Sequence, residues 1–403
     1  MVMPALAPLR SAAFRRVAAA DTVSMIGNAI APVALAFAVL DLGGSAAGLG
    51  VVVGARSAAQ VLFLLLGGVV ADRVPRQVVL VGSSAASALT QGAVAVVVIG
   101  RVDSIALLAG LSAVNGAVSA FTLPAAAALL PATVEQSVLR QANALIRIVT
   151  NTTGVAGAAV AGVLVAVLGS GWCIGVDAAS FAVAGAIFAG LRLPNTPAPA
   201  AARERVWTEL VQGWGEFRSR TRLWVVVASA AAGNAAFVGA VFVLGPVIAN
   251  ATFGRRYWGL VLAALTLGTI GGGLLALRVR PRYPLRFAMA CTCVLASLPL
   301  VLGLRPMFGL LAVAAALTGV ALEQFGVAWS VTMQHQIPAE RLARAYSYDM
   351  LGSFVAIPVG EIVVGPLSSV FGLRTTLVGA AVVILVAMLA ALASRSVRDL
   401  TND

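Results

Sequence analysis

The sequence predicts an all-α membrane protein that crosses the bilayer twelve times. Of its 403 residues, 60% are hydrophobic and only 10% are charged, and the mean hydropathy is +0.99. Soluble domains carry about 25% charged residues, so this composition excludes a soluble globular protein. A helical span needs roughly 20 apolar residues, and short polar breaks separate twelve such stretches: 17–40, 46–71, 76–100, 104–130, 138–168, 172–191, 223–250, 257–277, 285–303, 306–334, 341–370 and 373–394.

The basic residues predict the orientation of these spans. All 27 are arginines. With the amino terminus inside, most of them fall on cytoplasmic loops, as the positive-inside rule requires. The outward-facing exceptions are Arg101, Arg255, Arg256, Arg305 and Arg374. We therefore expect both termini in the cytoplasm and no cleaved signal peptide before the first span.

The breaks between spans divide the chain into two similar halves. The longest polar segment, 192–222, is rich in proline and arginine, and it predicts a cytoplasmic linker between bundles at 1–191 and 223–403. The pattern at 68–73 recurs at 273–278, an offset of 273 − 68 = 205 residues, and a second pattern recurs with a similar offset. These repeats indicate a duplicated unit of six spans.

The break between the second and third spans carries the sequence Gly-Val-Val-Ala-Asp-Arg-Val-Pro-Arg. Its pattern resembles the corresponding loop of the major facilitator superfamily. The resemblance implies two pseudosymmetric six-helix bundles, secondary transport by alternating access, and a latch between bundles formed by Gly68, Asp72, Arg73 and Arg76. The alternative interpretation is a loop of ordinary positive-inside arginines with one solvated acid.

The fifth span contains a strip of small residues that includes Gly154, Gly157 and Gly162. This strip resembles a degraded antiporter motif of the drug:proton exporters, and its flanks resemble the subgroup with macrolide and siderophore exporters. The resemblance implies proton-coupled efflux of a drug-like or secondary-metabolite compound, and hence multidrug or antibiotic resistance. The alternative is that these glycines only allow close helix packing.

Charged residues within spans are costly in a bilayer and mark candidate functional positions. Glu361, Glu323 and Asp21 are the proton-coupling candidates, and Glu361 ranks first because Pro358 and Gly360 weaken its helix. Burial raises the proton affinity of a carboxylate, and a nearby guanidinium lowers it. A conformational change that brings an arginine to the acid can therefore release a proton. The alternative for each acid is a static buried ion pair.

Substrate or counter-ion candidates are the basic, amide and aromatic side chains predicted within spans. They are Arg56, Arg147, Asn28, Gln60, Asn115, Asn151, Phe121, Asn234, Phe237, Gln324 and Trp329. A cavity with apolar walls and sparse polar groups suits a large amphipathic substrate molecule. Asp177 and Asp349 are expected nearer helix ends, where water reaches them.

Other classes of function find no support in the sequence. Without lysine there is no Walker A motif, and the single histidine suggests no catalytic triad, so we expect neither an enzyme nor a cofactor. The cysteines suit neither disulfides nor a metal site, and loop arginines account for the net charge of +12 without a nucleic-acid partner. We expect a monomer in a prokaryotic plasma membrane. Two alternatives to proton-coupled efflux remain: uptake or facilitated diffusion of a small metabolite, and a non-transporting receptor on the same fold.

Overall fold

The computed structural model describes residues 4–191, 221–279, 281–337 and 349–394. The chain divides into two compact units, unit 1 at 1–198 and unit 2 at 199–403. The described residues contain twelve helices long and apolar enough to cross a membrane, which confirms the predicted all-α fold. The linker predicted at 192–222 falls almost wholly outside the described residues and stays a prediction.

Unit 1 contains six long helices joined by short loops. They are α1 (Ala12–Asp41), α2 (Ala46–Arg73), α3 (Arg76–Ile99), α4 (Ile105–Leu129), α5 (Leu139–Leu168) and α6 (Ser170–Ala189). Hydroxyl groups cap two of them, because Ser11 accepts from the backbone N–H of Phe14 and Ser104 from that of Leu107. Gly169 alone separates α5 from α6, and its φ of +87° reverses the chain at a conformation that favours glycine.

Glycines set the closest helix contacts in unit 1. α2 packs on α4, α1 and α3 pack on α6, and α1 packs on α5. A Cβ at Gly116 would collide with the backbone carbonyl of Arg56, and a Cβ at Gly157 would collide with Ala29. Because lipid provides no hydrophobic drive between helices, such backbone approaches supply the packing energy.

The described part of unit 2 also contains six spans, and two of them change helix type partway. They are α7 (Thr221–Val238, continuing through Gly239–Leu244 and Gly245–Ala251), α8 (Arg255–Ala276), α9 (Pro284–Thr292, Cys293–Ala296 and Ser297–Leu304), α10 (Phe308–Gln336), α11 (Ile357–Phe371, after a helical stretch at 349–354) and α12 (Leu373–Ala393).

Prolines account for both changes of helix type. In α7 the residues Gly239–Leu244 form a π-helix just before Pro246, and in α9 a 3-10 turn at Cys293–Ala296 precedes Pro299. Proline has no N–H to donate and clashes with the carbonyl four residues earlier, so the preceding turn widens or tightens.

The two units pair their helices in the same order. α8 packs on α10 as α2 packs on α4, α7 and α9 pack on α12 as α1 and α3 pack on α6, and α7 packs on α11 as α1 packs on α5. Each of these unit 2 contacts thus recurs in unit 1 six helices earlier. This correspondence agrees with the duplication inferred from the repeated loop patterns.

Candidate functional site

Unit 1 encloses a carboxylate at the contact of three helices. Asp177 is the eighth residue of α6 and is 0% exposed. Its Oδ2 accepts a hydrogen bond of 2.6 Å from Nε2 of Gln91 on α3, and Gly27 of α1 packs against its other oxygen. The guanidinium of Arg56 on α2 is near enough to attract it electrostatically.

The burial of Asp177 overturns the expectation of a hydrated acid near a helix end. Hydration would require an open path beside the carboxylate. Instead, Gly27 presents no side chain, so the backbone of α1 closes over Asp177, and Gln91 occupies the α3 side. The acid is therefore a site residue that the sequence reasoning missed.

A second amide extends this polar region toward α4. The buried Asn115 donates a hydrogen bond of 3.1 Å to the hydroxyl of Thr90, which precedes Gln91 in α3. Arg56, Thr90, Gln91, Asn115 and Asp177 together form what we call the unit 1 polar cluster. It contains two predicted substrate or counter-ion residues, Arg56 and Asn115.

Four other predicted site residues of unit 1 are spread over α1, α2 and α4. Asp21 is half-buried in α1, and among the described residues no hydrogen bond reaches its carboxylate or links Asn28 or Gln60 to the cluster. Phe121 packs on the ring of Phe63 at 6.3 Å between centroids.

The strip in α5 is described in part. Gly157 and Gly162 are buried, and Gly154 is half-buried. Gly157 packs against Ala29 of α1, where a Cβ would clash. This contact agrees with the packing interpretation of the strip, but leaves the antiporter interpretation as a prediction. The side chains of Arg147 and Asn151 lie outside the described part of α5.

The predicted latch lies at the junction of α2 and α3. Gly68, Asp72 and Arg73 fall in the last turns of α2, and their surroundings lie outside the described structure. Val74 and Pro75 make the connection, and the exposed Arg76 begins α3. The tight turn agrees with the sequence pattern, while the latch itself stays a prediction.

Unit 2 holds an acid beside two aromatic rings. Nε1 of Trp329 donates a hydrogen bond of 2.9 Å to Oδ2 of Asp349, and the hydroxyl of Ser353 lies 3.5 Å from its Oδ1. Phe325 stacks on Trp329 with an interplanar angle of 7° and a centroid distance of 6.3 Å. Nδ2 of Asn234 donates to the backbone carbonyl of Ser353 at 3.1 Å.

We call Asn234, Phe325, Trp329, Asp349 and Ser353 the unit 2 polar cluster. It brings together two predicted substrate residues, Asn234 and Trp329, with an acid that the sequence reasoning set aside. Asp349 is half-buried, and the indole of Trp329 covers one of its oxygens. An apolar ring pair beside an acceptor carboxylate presents the mixed surface that an amphipathic molecule requires.

Glu361 is buried in α11, with 3% of its surface exposed. The neighbouring Gly360 lets α11 approach α7, because a Cβ there would collide with the carbonyl of Ala235. A Cβ at Gly239, the first π-helical residue, would lie 2.7 Å from the carbonyl oxygen of Gly360. Phe237 is buried in the same part of α7. The first-ranked acid thus lies beside a helix irregularity, a feature frequent at functional sites.

Glu323 lies where α8 and α10 approach closely. It is half-buried in α10, and its Oε1 is 3.8 Å from the position of a Cβ at Gly273. The adjacent Gln324 is buried and donates a hydrogen bond of 2.7 Å to the carbonyl of Gly272. The predicted proton candidate and the predicted substrate residue therefore share one helix contact.

Comparison with known proteins identifies the family. The sequence matches the transmembrane secretion effector family over residues 3–401. This chain belongs to the major facilitator superfamily. A curated relative of this transporter is the multidrug efflux pump Tap of Mycolicibacterium fortuitum, which is 28% identical over 371 residues, covering 87% of this chain and 88% of Tap.

Solved structures agree on the fold. The nucleoside transporter NupG superposes on this major facilitator protein with a TM-score of 0.79 at 15% identity, covering 95% of this chain and 100% of NupG. A bacterial homologue of the human lysosomal transporter Spinster, inward-facing and unoccupied, gives 0.73 at 16% identity, covering 94% and 95%. At these identities the likeness establishes the fold, and the family establishes a multi-pass membrane transporter.

Membership of the superfamily directs attention to the acids within spans. The described part of this transporter contains no group of three or more His, Cys, Asp or Glu side chains that could hold a metal ion. Its acids within spans have different surroundings: Asp177 accepts a hydrogen bond from Gln91, Asp349 accepts one from Trp329, and Glu361 lies beside the π-helical segment of α7. Acids inside spans mark candidate functional positions.

Proposed function

We propose that this protein exports a drug-like or secondary-metabolite compound in exchange for protons, by alternating access. The observation that carries the proposal is Glu361, a carboxyl group buried within a membrane span where α11 closely approaches α7. A buried acid is costly in lipid and persists where it serves ion movement. The likeness to Tap supports efflux of a small molecule.

In this proposal Glu361 takes a proton from the outer side and releases it on the inner side, while the substrate moves outward. The unit 2 polar cluster offers stacked rings and a carboxylate to an amphipathic substrate. Glu323 and Asp21 are further proton candidates, and the 68–76 loop is the proposed latch. We place the transporter in a bacterial plasma membrane as a monomer with both termini in the cytoplasm.

Reconstituted protein in liposomes containing a pH dye tests this function. A panel of amphipathic antibiotics, dyes and siderophores is applied, and substrate and proton fluxes are measured together. We expect substrate-dependent proton movement in the wild type and fewer protons moved per substrate in Glu361→Gln, which keeps the side-chain size but not the titratable group. Asp103→Asn is the matched control, because Asp103 is exposed in the loop between α3 and α4.

Each other outcome points to a different function. Substrate flux without proton movement in the wild type would contradict antiport and favour facilitated diffusion or another coupling ion. Equal proton flux in Glu361→Gln and the wild type would remove Glu361 from the mechanism. Substrate binding without any flux would indicate a receptor built on the transporter fold.

A further inference from the structure

A second buried carboxyl group, Asp177 in unit 1, is enclosed more completely than Glu361. Three helices surround it: α6 carries the acid, α3 supplies Gln91, and α1 closes over it at Gly27. A side chain larger than hydrogen at Gly27 would strike both Oδ1 of Asp177 and the hydroxyl of Ser180. The pocket is therefore shaped to the carboxyl group.

The hydrogen bonds around Asp177 suit a neutral carboxyl group. An ionised carboxylate accepts roughly four hydrogen bonds, yet Oδ2 has the one from Gln91, and Oδ1 has no hydrogen-bond partner among the described residues. The single hydrogen bond that Oδ2 accepts, from Nε2 of Gln91, is 2.6 Å long. If the side-chain amide of Gln91 rotates by half a turn, its oxygen takes the place of Nε2 and can accept a hydrogen bond from a protonated Asp177.

The charged and titratable groups around Asp177 are few. Arg56 on α2 is the cation whose charge acts on it. α6 contributes the buried thiol of Cys173, and α3 has no charged residue after Arg76 at its first position. The charged residues of α1 lie farther along that helix from Gly27; they are Arg15, Arg16, Asp21 and Asp41. α5 carries Arg140 and Arg147, whose side chains lie outside the described structure. Arg56 is thus the described group that can balance the charge left when Asp177 loses a proton.

The location of Asp177 favours exchange with the outer side. With the amino terminus in the cytoplasm, α6 runs inward from its first residue, Ser170, at the outer surface. Asp177 then lies seven residues farther along, about 10 Å at 1.5 Å per residue. With the same orientation, Gln91 lies in the outer half of α3. The hydrogen-bond donor and the acid therefore lie at a similar depth in the membrane.

We propose that Asp177 is a proton-carrying site of the transport cycle, separate from Glu361 and specific to unit 1. It is protonated from the outer side, holds the proton in its hydrogen bond with Gln91, and releases it to water on the inner side when its carboxylate pairs with Arg56. In each cycle one carboxyl O–H bond forms and the same bond breaks, and the proton is the only group transferred. The proposal rests on the proposed proton antiport and adds one proton to each substrate exported.

The substrate concentration gradient that the protein sustains measures how many protons are coupled to each substrate molecule. In liposomes with the membrane potential clamped to zero, each coupled proton multiplies the substrate gradient by about ten per pH unit imposed. We expect Asp177→Asn to lower the sustained gradient about tenfold per pH unit while substrate exchange at equal pH continues, because asparagine keeps the size and the hydrogen bond. Asp103→Asn is expected to retain the wild-type gradient.

An unchanged gradient in Asp177→Asn would overturn the proposal, since the acid would then be a static structural group. Absence of proton coupling in the wild type would instead contradict the proposed function. The two failures are therefore distinguishable in one series of liposomes.

Infrared difference spectroscopy of the purified protein supplies a test that does not depend on transport or on Asp177→Asn folding. The wild type is expected to show the carbonyl stretch of a protonated, buried carboxyl group that titrates with pH. Gln91→Leu should shift this band, because it removes the hydrogen-bond partner of Asp177. A band that stays in place, or its absence from the wild type, would overturn the assignment.

Discussion

Gly272 of α8 offers a direct test of whether helix contact positions Glu323. A Cβ at this position would lie 2.9 Å from Cβ of Glu323 and 2.9 Å from the backbone Cα of Val320, whereas ordinary contact begins at 3.4 Å. Gly272→Ala therefore forces α8 and α10 apart. Overpacking of this kind costs about 1–3 kcal/mol, and displacement of the Gly272 carbonyl also weakens the hydrogen bond from Gln324.

The neighbouring glycine is a matched control. A Cβ at Gly271 meets no atom within 4 Å, so Gly271→Ala changes only helix propensity, which favours alanine by up to about 1 kcal/mol. We expect the two variants to shift the free energy of unfolding in opposite directions, measured by SDS titration in mixed micelles. Proton-coupled transport should fall in Gly272→Ala alone. Equal stability of the two variants would refute the reasoning, because the same alanine would then fit both sites.

Two further predictions address the unit 2 polar cluster and the membrane topology. Trp329→Phe keeps a ring against Phe325 but removes the donor to Asp349. A double-mutant cycle with Asp349→Leu, which removes the acceptor, should give a coupling energy of about 0.6–1.7 kcal/mol, and a value of zero would contradict the hydrogen bond. Asp103→Cys should react with an impermeant maleimide in intact cells, and Pro75→Cys only after permeabilisation; the reverse pattern would invert the topology.

The span layout was predictable because lipid leaves few solutions. Every backbone polar group must be satisfied within the membrane, so long apolar stretches form helices, and the twelve predicted stretches coincide with twelve candidate spans. Local breaks were less predictable. A continuous span was predicted at 341–370, whereas the described part of this span contains a turn at Val355–Ala356 before α11.

Site residues were predictable only where a single residue stood out from its sequence context. Glu361 and Glu323 are acids within apolar stretches, and hydropathy alone marks them. Asp177 was expected to be hydrated. Its burial could not be predicted because it depends on Gly27 and Gln91, residues that lie 150 and 86 positions away in sequence. One signal was available: Gln91 and Asp177 are polar residues in the interior of spans three and six, and each requires a partner away from lipid.

The distribution of acids separates two units that otherwise pack alike. Asp177 lies in α6, whose counterpart α12 contains no acidic residue, and Glu361 lies in α11, whose counterpart α5 contains none either. The shared helix pairing therefore accounts for the fold but not for the placement of charge. Because the acids occupy non-equivalent helices, the two proposed proton sites have different neighbours, Gln91 and Arg56 for Asp177 and the π-helical segment of α7 for Glu361. A change in one unit can then alter one proton site without a matching change in its counterpart.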